Sequence, residues 1–172
     1  MFNRLRVVNR NQRGFTLVEL IVAIGLAGII SSAITMTVFQ MFTTNARSSA
    51  HMIAVKQVEN AIHWVRQDVQ MAQIVEPSGG AGFPLNLTWV DWNNNVNQVT
   101  YSLGNGQLER QHCVNGGEPS SMVVARYIDP DSAMTNCQFV GGVFTLEITA
   151  AVGGFRPASE SRLTEVVPRT AL

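Results

Sequence analysis

The sequence predicts an α+β chain: a long N-terminal α-helix packed on a C-terminal antiparallel β-sheet. Three observations carry this. Residues 15–42 are an apolar run without proline. Apolar residues then recur at three- and four-residue spacing as far as Ala72. After Pro77 the apolar period becomes two. The first two patterns belong to a helix, and the third to strands with one buried face.

The apolar run comes first. Its 28 residues would make a helix of roughly 42 Å at about 1.5 Å per residue, longer than the ~30 Å hydrocarbon layer of a membrane. Arg4, Arg6, Arg10 and Arg13 precede it with no acid among them, which places the N-terminus on the cytoplasmic side. From Gly14 to Ala46 the sole charge is Glu19. An acid inside an apolar helix is costly and calls for a partner, yet no Lys, Arg or His lies between Arg13 and Arg47. Cleavage before the helix would supply one, as a new α-amine. The Gly14–Phe15 bond suits that: Gly14 is unhindered, and the arginines fall on the discarded side. The amine of Phe15 could meet Glu19 of its own chain or of a staggered neighbour. Two plainer readings are a signal peptide cut near Ser31-Ser32-Ala33 and an uncleaved signal anchor.

Beyond the run, Ala54, Val58, Ala61, Ile62, Val65, Val69 and Ala72 form an apolar stripe. Polar residues, Asp68 among them, fill the gaps, so the pattern is that of an amphipathic helix laid on a sheet. Pro77 and Ser78-Gly79-Gly80 end it, with helix expected to about Ile74. Strands are then expected from Leu85 to Trp89, Val96 to Leu103, Gln107 to Val114, Met122 to Ile128, Val143 to Val152 and Arg162 to Val167. Gly104-Asn105-Gly106 reads as a tight hairpin turn, and Asp129-Pro130-Asp131 falls in a loop. Four to six strands in one sheet result, with Trp89, Trp92, Tyr101 and Phe144 as core. The divisions are a leader over 1–14, a membrane helix over 15–42, its amphipathic continuation over 43–76 and a β domain over 77–172.

Composition excludes several functions. Of 172 residues, 46% are apolar and 14% charged, which fits neither a disordered tail nor a collagen. Twelve basic residues balance twelve acidic ones, and outside the leader no basic patch suggests nucleic acid as a partner. His51, His63 and His112 are scattered, with no nucleophile motif near them and no second cluster at metal-ligand spacing. No catalytic residue, cofactor or metal site is expected. Cys113 and Cys137 suit one disulfide if the domain lies outside the cytoplasm; two free buried thiols are the alternative.

The run RGFTLVELIVAIGLAGII resembles the N-terminus of type IV prepilins and type II secretion pseudopilins. The matching features are the basic leader, Gly14 before the cleaved bond, Phe15, Thr16-Leu17-Val18, and Glu19 fifth after the cut. The resemblance implies a pilin-like fold, with the first half of the helix as the spine of a filament. It implies cleavage after Gly14 by a prepilin peptidase, N-methylation of Phe15, and a role for Glu19 in assembly. It also implies an inner-membrane precursor that meets lipid, an assembly platform and other pilin subunits before entering a periplasmic or cell-surface filament. Some pseudopilins bind calcium; Asp129-Pro130-Asp131 lacks the ligand-dense loop of a strong site and reads as a solvated turn. Major pilins often carry a proline partway along this helix, and none occurs here before Pro77. That absence points to a minor subunit. YSLGNGQLERQ and TEVVPR look like the J-type minor pseudopilins and W-type minor pilins. The expectation is a structural subunit and no enzyme. The alternative is a single-pass anchored binding domain that does not polymerise.

Overall fold

The computed structural model describes residues 14–154 and 157–169. The leader arginines lie outside them. The chain divides into two units, Met1–Phe42 and Thr43–Leu172.

Helix α1 (Leu17–Met71) runs through both. In the second unit its buried face is Ala50, Ala54, Val58, Ala61, Val65, Asp68 and Val69, the stripe that the spacing dictates with one acid added. Alanine holds three of these positions, Ala50, Ala54 and Ala61. The helix stops at Met71, earlier than the periodicity suggested. The amide of Ala72 still donates to Asp68 and Val69 carbonyls, but that of Gln73 donates to Thr88 O at 2.9 Å. From there the backbone belongs to a sheet.

Among the described residues, eight strands form two antiparallel meanders, not one sheet. The five-stranded sheet is ordered β1 (Ile74–Pro77), β2 (Leu85–Val90), β3 (Val96–Gly104), β4 (Gln107–Val114) and β5 (Ser120–Arg126). The three-stranded sheet is β6 (Asn136–Val140), β7 (Val143–Val152) and β8 (Ala158–Val166). Isolated bridges Ala81↔Gln138 and Ile128↔Ala150 tie them together. Strands β1 and β6 fall where the sequence suggested helix end and loop. Pro77 is tolerated because β1 is an edge strand.

The β3–β4 hairpin closes as its sequence requires. Gly104 pairs with Gln107, so the loop is Asn105-Gly106, both at positive φ (51° and 69°), a geometry that Asn-Gly supplies at low cost. Gly141-Gly142 does the same between β6 and β7, with φ of 61° and 82°. In β5 the register slips opposite Leu108/Glu109. That bulge turns both Val124 and Ala125 inward and breaks the strict alternation.

Leu85, Leu87 and Trp89 of β2, Val99 and Tyr101 of β3, Leu108 of β4 and Phe144, Leu146 and Ile148 of β7 join the helix stripe in one core. Trp92 does not: it is 94% exposed, in the β2–β3 turn.

Candidate functional site

In the first unit nothing among the described residues covers the helix. Every residue from Leu17 to Phe42 is exposed, although the apolar window has a mean hydropathy of 2.3. A helix apolar on all faces is stable only inside lipid or among other apolar helices. Three of its hydroxyls are already satisfied for such surroundings. Ser32, Thr35 and Thr37 donate to the carbonyls of Ile29, Ser31 and Ala33 at 2.8–2.9 Å, which removes the penalty of burying a free hydroxyl. A Cβ on Gly25 or Gly28 would meet nothing within 4 Å.

Gly14, Phe15 and Thr16 precede the helix in non-helical backbone. Thr16 Oγ1 accepts the backbone N–H of Glu19 at 3.2 Å. Thr16 is thus the N-cap and Glu19 the third helical residue, the T-x-x-E spacing of a capping box. That spacing is readable in the sequence and adds a second role to both residues. Glu19 stands in the first turn, where the helix dipole favours negative charge. Its side chain is exposed, and no cation pairs with it among the described residues. Chain cleavage before Phe15 would put a positive amine at the helix end, where the dipole disfavours it. An acid in the same turn, from this chain or a neighbour, offsets that cost.

A second constellation escaped sequence reading. Asp68, 2% exposed on α1, accepts Arg110 Nε at 2.7 Å and Arg110 Nη2 at 3.1 Å. Tyr101 Oη donates to the same carboxylate. Tyr101 and Arg110 are directly opposed on β3 and β4, which is why both reach one acid. The Arg110 guanidinium also lies 5.3 Å from the Trp64 ring centre, a cation–π contact. Burial, then the Asp68 charge, holds the Tyr101 phenol well above its ordinary range. The bond to Asp68 raises Arg110 further. The group locks helix to sheet. Its signal was in the stripe: position 68 follows Ala61 and Val65 at helical spacing, so an acid there required a partner.

The expected disulfide is not formed. Cys113 lies on β4 and Cys137 on β6, in different sheets, and both are free. Cys113 Sγ donates to Gly117 O at 3.0 Å and Cys137 Sγ to Gly82 O at 3.1 Å. Burial pushes the Cys137 thiol up to about 12. His112 stacks on Trp89 at 6.0 Å and bonds Asn97 at 2.9 Å. Asp129 and Asp131 accept the backbone amides of Asp131 and Ala133 within their own turn. Among the described residues, no three His, Cys, Asp or Glu side chains are grouped to hold a metal.

A family model described as the prokaryotic N-terminal methylation motif matches residues 9–35. Its span includes Gly14, Phe15 and Glu19 and supports a prepilin-type N-terminus. No curated protein and no solved structure shows a significant match to the chain.

Proposed function

We propose that this chain is a structural subunit of the type IV pilin and pseudopilin class. It is made as a precursor in the inner membrane and drawn into a filament through its N-terminal helix. One observation carries the reading. An apolar helix exposed on every face begins with a single acid, Glu19, unpaired among the described residues, four residues after Phe15 and inside the matched methylation motif. Lipid covers that surface in the precursor, and neighbouring subunits cover it in the filament.

A prepilin peptidase cuts between Gly14 and Phe15 on the cytoplasmic side, and the Phe15 amine is methylated. The amine of an incoming subunit then pairs with Glu19 of one already in place. In a low-dielectric filament core such a pair sets the stagger, because an unpaired buried charge typically costs about 3–5 kcal/mol. The β domain is held outside the cytoplasm. Partners are the peptidase, an inner-membrane assembly platform, lipid and other subunits. The finer assignment, a minor subunit of J or W type, is supported by the YSLGNGQLERQ hairpin across β3 and β4, the TEVVPR ending and the proline-free helix.

The test is Glu19→Ala, followed in sheared filaments. Glu19 has no ion-pair partner within the described chain, so the variant is expected to fold and be processed, yet to be depleted from filaments at least tenfold. Incorporation at the native level would refute the assembly role and favour a tethered domain that does not polymerise.

A further inference from the structure

Beside the β domain's first helical turns lies a groove of about 540 Å³, lined by Thr44, Arg47, Ser48 and His51 of α1 and by Pro157, Ala158 and Ser159 of β8 and the residue before it. Residues 44, 47, 48 and 51 follow helical spacing and share one face. Two of these residues carry basic side chains, three of the lining residues carry hydroxyls, and none is acidic. Arg47 forms no ion pair among the described residues. It is also the first cation after 33 residues that hold a single charge, an acid.

We infer that this groove binds the phosphate of an anionic lipid headgroup, a function that rests on the membrane reading above. The apolar run ends at Phe42, and Arg47 follows five residues later, about 7.5 Å along the helix. The headgroup layer is roughly 5–8 Å deep on each side of the hydrocarbon, so Arg47 falls at phosphate level. A guanidinium donates to two phosphate oxygens at once, and the hydroxyls of Thr44, Ser48 and Ser159 supply donors for the rest. The bound lipid would fix how far the helix rises from the membrane before assembly.

The experiment uses the full-length chain in neutral detergent, with lipid retention read by native mass spectrometry. The probes are phosphatidylglycerol, phosphatidylcholine and inorganic phosphate. Phosphatidylglycerol is expected to be retained over phosphatidylcholine. Arg47→Gln should lower that retention about tenfold, Arg47→Lys should restore part of it, and Arg169→Gln should leave it unchanged. Equal retention by Arg47→Gln and the native chain overturns the site. Arg47-dependent binding of inorganic phosphate with no preference for the lipid overturns the lipid source. Carbonate extraction of native membranes tests the membrane reading separately. A chain released by carbonate overturns that reading and the lipid source together, whereas a retained chain that ignores phosphatidylglycerol overturns the groove alone.

Discussion

Arg110 on β4 grips the carboxylate of Asp68 on α1 with two nitrogens, at 2.7 and 3.1 Å, across 42 residues of sequence. Asp68 is 2% exposed and the Arg110 side chain 12%, so water contributes little to either charge. Removing one partner strands the other. Asp68→Asn and Arg110→Met are each expected to destabilise the fold by about 3–5 kcal/mol, and the double variant by clearly less than the sum. Urea unfolding of all four proteins checks this; additive losses would show that the two side chains act independently.

Tyr101 shares that carboxylate, and the consequence is a dependence on alkaline pH. Burial first, then the Asp68 charge, holds the phenol above its ordinary value of 10.0. The unfolded chain therefore releases this proton near pH 10 while the folded chain keeps it. The contribution is fully present below that pH and is lost as pH rises above it. Tyr101→Phe should lose about 1 kcal/mol at neutral pH with its hydrogen bond. It should also show a shallower loss of stability above pH 10. Parallel alkaline losses in the two proteins would contradict the assignment.

The cysteines give a chemical check on the two-sheet arrangement. Both thiols are expected to be present without reductant, and Cys113 should react with maleimide well before Cys137. Cys137 is 1% exposed and its thiol is pushed up to about 12, so little reactive thiolate forms. Peptide mapping that finds a Cys113–Cys137 cross-link would contradict this arrangement.

Local patterns were legible. Val58, Val65 and Val69 mark the helix face, Asn105-Gly106 marks the hairpin, and β4 and β7 have the limits that their alternation suggests, because each depends on neighbours within a few residues. Strand β1 was not legible. Ile74 and Val75 continue a helical pattern, and only pairing with Thr88 and Leu87 draws them into a sheet. Strand β6 had a usable signal in Gly141-Gly142, the same two-residue turn chemistry as Asn105-Gly106. Asp68 looked like a polar-face residue because its partners come from the register of β3 against β4. Trp92 was expected in the core as a large aromatic, but Asp91 turns the chain there by accepting the amides of Asn93 and Asn95. The signal for the candidate site at Gly14, Phe15 and Glu19 lies in their order along the chain, which depends on no distant contact, and the matched motif spans all three.

At Gly14 the proposed recognition can be tested apart from folding. A Cβ placed there would meet nothing within 4 Å, so Gly14→Asp leaves this fold undisturbed. The variant is expected to accumulate at native levels as an uncut precursor. Processing at the native rate would remove the reason for glycine before the bond.

The central claim concerns the bond between Gly14 and Phe15, and mass spectrometry of the native N-terminus tests it most directly. Membrane and sheared-filament fractions should both yield a chain that begins at Phe15, methylated on its amine. A chain in both fractions that still carries Arg4, Arg6, Arg10 and Arg13, with no trimmed form beside it, would contradict the account.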